Sequence, residues 1–244
     1  METPTFIGIS RQMALRNRLD VVANNVANLN TPGFKKETLL FSEHIVRPDG
    51  RDRVQEPLSL VVDRAQFRDT GDGIINYTGG TFDVALQGPG FFGVQGPGGE
   101  QVYTRAGNFT LSADGELVTP TGDLVLDQGG GTITIPTDQT NFTIDGQGNI
   151  FGQDGQVATL MVREFDDVQS METIGRNYLT TDEAGRDSET TTVTQGAIEG
   201  SNVNGVSEVT QMIDVLRSYQ GIQNFIQSEH DRQRSMIRAL SDEQ

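Results

Sequence analysis

The two ends of this chain repeat apolar residues every three and four positions, and neither repeat contains a proline. From Phe6 to Leu29 the only glycine is Gly8, and Leu15, Leu19, Val22, Val26 and Leu29 follow one another at intervals of 4, 3, 4 and 3. At 3.6 residues per turn this places them on one stripe of a helix. Asn30-Thr31-Pro32-Gly33 ends that helix, because proline removes a backbone donor and glycine opens a turn. The other end runs from Ser207 to Leu240 with a single glycine, Gly221. Its seam is Val209, Met212, Leu216, Tyr219, Gln223, Ile226, His230, Gln233, Ile237 and Leu240. A helix of that length spans roughly 50 Å. It cannot bury an apolar stripe alone, so the helix at the other terminus is its expected partner.

Between the ends the pattern changes to short β-favouring runs. Phe109-Thr110-Leu111, Leu117-Val118, Leu124-Val125-Leu126 and Ile133-Thr134-Ile135 are separated by Asp114-Gly115, Thr121-Gly122 and Gly129-Gly130-Gly131. These are hairpin spacings. A weak repeat appears at an offset of 33. Phe109-Thr110-Leu111, Gly115, Leu117 and Gly122 align with Phe142-Thr143-Ile144, Gly148, Ile150 and Gly155. Two copies imply paired hairpins rather than a solenoid.

The expected fold is therefore mixed and mainly β with helical termini, the two terminal helices pairing as a coiled-coil unit around an inserted all-β domain. The expected boundaries are 1–34 with 206–244 for the helical part, 35–70 and 190–205 for extended connectors, and 71–189 for the β-rich outer domain. Charge divides the same way. Residues 1–53 carry a net of +2, 54–205 a net of −16 and 206–244 a net of −2. The near-neutral ends can pack closely against copies of themselves, while charge keeps the middle soluble.

Composition removes several functions. With no cysteine there is no disulfide, no thiolate metal site and no thiol nucleophile. No apolar run approaches the roughly 18 residues of a membrane span, and the N-terminus has no basic start followed by an apolar run, so no cleaved secretory signal is expected. An acidic chain is poorly suited to nucleic acid. Gly88-Pro89-Gly90-Phe91-Phe92-Gly93 has the glycine spacing of a dinucleotide-binding loop, but a turn and a strand are expected after it rather than the helix such a loop needs. Asp145-Gly146-Gln147-Gly148-Asn149 lacks the sixth-position glycine and closing glutamate of a calcium loop. His44 and His230 are the only histidines and lie far apart, and no nucleophile elbow is present. No catalytic, cofactor or metal residue is expected, and no small-molecule substrate.

Ala23-Asn24-Asn25-Val26-Ala27-Asn28-Leu29-Asn30-Thr31-Pro32-Gly33-Phe34-Lys35 strongly resembles the N-terminal signature of the bacterial flagellar rod and hook proteins. Gly88 to Val94 followed by Tyr103-Thr104-Arg105-Ala106-Gly107-Asn108-Phe109 resembles the family's central block. Gln195-Gly196-Ala197-Ile198-Glu199-Gly200-Ser201-Asn202-Val203-Asn204, leading into Met212-Ile213 and Tyr219-Gln220, resembles its C-terminal block. Essentially the whole chain is covered. Ser10 to Leu15 and the short length look most like the proximal rod members, while Gly205 stands where relatives often carry proline.

The resemblance implies a structural subunit of the basal-body rod that self-assembles through its terminal helices into a hollow drive shaft. Its partners would be copies of itself, other rod subunits and the flagellar type III export apparatus, and it would reach the periplasm without a cleaved signal. The assembly interface would take Leu15, Leu19, Val22, Val26 and Leu29 from the first helix, and Val209, Met212, Leu216, Tyr219, Gln223 and Ile226 from the last. Asn24, Asn25 and Asn28 would make polar contacts between subunits, since an amide both donates and accepts. Thr31, Gly33 and Phe34 would form the exit turn, with Phe34 as its anchor. A distal rod or hook-type subunit is the nearest alternative. A wall-modifying enzyme with a carboxylate pair is the alternative from another class, and the scattered acids speak against it.

Overall fold

The computed structural model describes residues 3–46, 58–136, 139, 141–175 and 177–241. Two long helices bound the chain: α1, Thr3–Ala27, and α2, Gly205–Ser241. Among the described residues between them there are strands and turns and one 3-10 turn, at Val168–Ser170. Two compact units result. One comprises residues 1–27, 37–67 and 204–244, and the other 28–36 and 68–203.

In the first unit α1 and α2 lie against each other in opposite directions. A side chain placed on Gly8 would meet Ile226 at 3.1 Å. The Gln12 amide donates to the Tyr219 hydroxyl over 3.1 Å, and Asn25 reaches Glu208. Asn204 caps α2, its side-chain oxygen accepting from the Ser207 N–H at 3.1 Å and so satisfying one of the free donors of the first turn. Gly205 is the first helical residue after that cap. The stretch expected as an extended connector instead forms a two-stranded sheet, β1 (Glu37–Val46) and β2 (Leu58–Arg68). The alternating pattern of Leu58-Ser59-Leu60-Val61-Val62 is strand-like, and a strand gains ladder bonds that a bare connector lacks.

The second unit is a set of antiparallel sheets. Its largest has six strands in the order Glu172–Thr173, Leu179–Thr180, Gln101–Thr104, Phe91–Gln95, Val162–Glu164 and Arg186–Asp187. The second expected connector is also strand. Thr192–Gln195 pairs with Val84–Gln87, and Ala197–Glu199 with Ile75–Tyr77. Leu124, Val125 and Leu126 contribute only isolated bridges. The main core gathers Val84, Leu86, Phe92, Phe109, Leu117, Ile133, Phe142, Ile150 and Leu160, all buried.

The offset-33 repeat is a repeat of one turn. Ser112 N–H donates to Glu116 O, and Glu116 N–H returns to the Ser112 hydroxyl. Thirty-three residues on, Asp145 N–H donates to Asn149 O, and Asn149 N–H returns to the Asp145 carboxylate. Gly115 and Gly148 each take a left-handed conformation, with φ near +80°, which glycine adopts without steric cost. The aligned pairs Phe109/Phe142 and Leu117/Ile150 enter the same core.

Candidate assembly surface

On α1 the inward positions follow the expected seam. Val22 is buried, and Leu15, Leu19 and Val26 are half-buried. Leu29 lies beyond the helix, in the exit turn. On α2 the seam is rotated. The positions turned inward are Glu208, Met212, Val215, Tyr219, Ile222, Ile226 and Glu229, again three and four apart. Met212, Tyr219 and Ile226 were expected there, whereas Val209, Leu216 and Gln223 are exposed. Both seams share alternate positions. The seam turned inward contains Val215 and Ile222 together with two carboxylates, Glu208, which accepts from the Asn25 amide, and Glu229, which accepts from Arg232. His230 is exposed. The side chains of Ile237, Leu240 and His44 lie outside the described residues.

This rotation leaves a second stripe. Val206, Val209, Ile213 and Leu216 recur at intervals of 3, 4 and 3 along α2, and all four are exposed, Val206 by 82%. Ile7, Ile9 and Met13 of α1 are exposed as well.

The three asparagines have separate fates. Asn25 is 1% exposed, and its amide works inside the chain. It accepts from Glu37 N–H at 3.0 Å, donates to Glu37 O at 2.8 Å and donates to a Glu208 carboxylate oxygen at 3.1 Å. One side chain thus serves as ladder partner to the start of β1 and as a polar clamp on α2. Asn24 is exposed and lines, with Asn17, Asp20 and Glu37, an open depression of about 430 Å³. Asn28 accepts from the Thr31 hydroxyl at 2.9 Å and its carbonyl accepts from Thr31 N–H, which starts the exit turn.

That turn is part of the second unit. Phe34 is buried, and Asn177 donates to Pro32 O. Gly33 has φ +67°, and a β-carbon there would lie 2.4 Å from the carbonyl carbon of Arg105. Its N–H donates to Glu199 O at 2.8 Å.

Just beyond it the three motif blocks meet in one buried charge cluster. The Glu199 side chain is fully buried. One of its oxygens accepts from Lys35 Nζ at 2.7 Å and from Gly73 N–H at 2.9 Å, and the other accepts from Arg105 Nε at 2.9 Å. Arg105 also donates to the carbonyls of Gly88 and Gly90 and to Asp72. Lys35 donates in addition to Gly71 O. Burial and the neighbouring Arg105 hold the Lys35 ammonium below its ordinary pKa, against the opposing pull of Glu199 and Asp72. Sequence reasoning gave these three residues no role. The signal was present, since Arg105 is the only lysine or arginine between Arg68 and Arg163.

A second carboxylate is tuned in the same unit. Burial pushes Glu164 up, but hydrogen bonds from the Ser188, Thr191 and Thr190 hydroxyls and from Thr190 N–H outweigh it and bring the pKa down from 4.5 to about 2. This carboxylate holds a loop. Its donors are hydroxyls and backbone N–H groups. Gly88–Gly90 forms the turn between the strands Val84–Gln87 and Phe91–Gln95, so a strand and not a helix follows it. Among the described residues no group of three or more His, Asp and Glu is placed to hold a metal ion, and no helix is long and apolar enough to cross a membrane.

Comparison with known proteins agrees with the position of the motif blocks. Residues 7–35 match the family model of the flagella basal body rod protein, 85–152 that of the flagellar hook protein FlgE/F/G D1 domain, and 194–239 that of the flagellar basal body rod FlgEFG protein C-terminal region. The chain is 36% identical to the flagellar basal-body rod protein FlgF of Caulobacter vibrioides, over 98% of both chains. It is 32% identical to FlgF of Mesorhizobium japonicum over 90% of both. To the flagellar basal-body rod protein FlgG of Bacillus subtilis it is 32% identical, over 88% of this chain and 90% of that one.

Proposed function

We infer the function of this chain from the family it belongs to, that of the flagellar basal-body rod proteins. It is a structural subunit of the rod and belongs in the flagellar basal body with other rod subunits. It is of the proximal, FlgF type. The match to FlgF of Caulobacter vibrioides at 36% over 98% of the chain favours this over the distal type, represented by the 32% match to FlgG over 88%.

The observation that carries the assembly mechanism is the second apolar stripe on α2. One face of the helix is already covered by α1, so Val206, Val209, Ile213 and Leu216 are left for another copy. Val209, Ile213 and Leu216 are 38–45% exposed, so burying what remains contributes about 1 kcal/mol each. Alternating contacts of this kind between unlike faces extend into a helical stack rather than closing into a dimer. Leu15, Leu19, Val22, Val26, Met212, Tyr219 and Ile226 shape the coiled-coil pair that presents the stripe. Asn24 reaches a neighbouring subunit, while Asn25 and Asn28 set the geometry of their own chain. Thr31, Gly33 and Phe34 fix the exit turn. This chain would reach the periplasm as rod subunits do, through the flagellar type III export apparatus. The protein works by assembly and transmits torque, with no chemical step.

The experiment is deletion of residues 206–244. The truncated chain retains protected β structure around residues 80–190 and fails to restore motility to a strain lacking the protein. A truncated chain that restored motility would overturn the mechanism.

A further inference from the structure

Ile7, Arg11, Ala14 and Arg18 follow one another at intervals of 4, 3 and 4 along α1 and so share one stripe of the helix. The stripe lies beside the inward seam, since Arg11 and Arg18 each stand one turn before a seam residue, Leu15 and Val22. Ile7, Arg11 and Arg18 are exposed. Neither guanidinium has a hydrogen bond or ion pair among the described residues. Asp20 is the one acid among the described residues of α1. It stands two residues from Arg18, a spacing that turns the two side chains apart.

We propose that this stripe docks on unit 28–36 plus 68–203 of a second copy of the chain. Charge complementarity carries the assignment. That unit holds seven lysines and arginines against twenty aspartates and glutamates. Four of its seven cations are already paired: Lys35 and Arg105 with Glu199, Arg163 with Asp187, and Arg186 with Asp166. Glu172 and Asp182 are exposed and have no partner among the described residues. They fall near one end of the six-stranded sheet, Glu172 opposite Thr180 in the ladder and Asp182 two residues beyond it. Glu183 joins them, accepting from the Asp166 N–H at 3.2 Å. Ile174, 43% exposed, supplies an apolar counterpart for Ile7. The spacings agree as well. One helical turn separates Ile7 from Arg11 by about 6 Å, and two residues of extended chain separate Ile174 from Glu172 by about 6.6 Å. The inference rests on the reading of this chain as a self-assembling subunit and adds a second contact to that of α2. Because the two surfaces differ, the contact repeats from copy to copy.

Two copies of net charge −16 repel overall, and salt screens that repulsion along with the local attraction. Charge reversal therefore isolates the contact better than salt. The chain has no cysteine, so Met13→Cys, at a position 64% exposed on α1, accepts a single nitroxide label. With side chains a helix is only about 10 Å across, so the label reports on the neighbouring stripe. The labelled full chain is mixed with isotope-labelled native chain, each on the order of 1 mM, as suits two exposed ion pairs. Amide broadening in the isotope-labelled copy then reports contacts between copies alone. The expected result is broadening over residues 166–183, strongest at Glu172 and Asp182. Arg11→Glu with Arg18→Glu in the nitroxide-labelled copy removes it, and Arg11→Lys with Arg18→Lys keeps it. Arg11→Gln alone weakens the association about threefold. Broadening confined to α2 around Val206–Leu216 overturns the proposal and leaves assembly through that helix standing. Broadening nowhere, or broadening that survives the reversal, also overturns it. The reading as a rod subunit is tested separately, by motility.

Discussion

Replacing Lys35 by methionine isolates what the buried charge cluster contributes. Methionine keeps the length and the apolar stem of lysine, so the cavity term is small. What is lost is the 2.7 Å contact with a carboxylate that has no exposed surface. At an effective dielectric of about 20, a unit charge pair at that distance attracts by about 6 kcal/mol. The desolvation of Glu199 is not recovered, because the side chain stays buried. Arg105 still holds one carboxylate oxygen and Gly73 N–H the other, which limits the loss. Breaking a buried pair from one side costs about 3–5 kcal/mol, and with two partners remaining the expected value is about 3 kcal/mol. The assay is native-state hydrogen exchange at Val84 and Leu160, core amides bonded to Gly107 O and Gly148 O, which reports this unit without requiring the whole chain to unfold as one. In a Glu199→Gln background, where the partner charge is already gone, Lys35→Met costs at least about 1 kcal/mol less than in the native chain. A Lys35→Met loss below about 1 kcal/mol, or an equal loss in both backgrounds, would show that Glu199 is not held by Lys35 and refute the reasoning.

Two further outcomes concern the same unit. Gly33→Ala forces a β-carbon to within 2.4 Å of the Arg105 backbone at φ +67°, and lowers thermal stability by at least about 2 kcal/mol; a melting temperature within a degree of the native value would contradict the docked turn. Glu164 has a depressed pKa, so its contribution is complete above pH 4.5 and is lost as the pH falls towards about 2. The full shift corresponds to at most about 3 kcal/mol, and solvent at the rim reduces it. Urea titrations of Glu164→Gln and the native chain therefore converge between those pH values, and parallel curves would remove the assignment.

The helix ends, the exit turn and the repeated hairpin were legible because each rests on local rules. Proline and glycine at 32 and 33 mark the exit turn that follows the end of α1 at Ala27, and the 33-residue repeat carries its own turn chemistry at Ser112 and Asp145. The α2 seam was legible only to within one residue. Spacing of three and four leaves two adjacent seams that share Met212, Tyr219 and Ile226, and tertiary packing chose between them by burying Val215 and Ile222. The cluster of Lys35, Arg105 and Glu199 joins residues up to 164 positions apart, and no periodicity connects them. The strands at 37–46 and 58–68 were read as a connector because charged residues from Arg47 to Glu56 interrupt them, which hid two strand-forming runs on either side.

The account stands on the exposed stripe of α2, and the most direct test is Val209→Asp together with Ile213→Asp. Both positions are exposed in the single chain, so the account predicts unchanged helix content by circular dichroism and unchanged thermal unfolding. It also predicts no incorporation into purified basal bodies and no motility in a strain lacking the native protein. Normal incorporation and motility with both charges in place would contradict it.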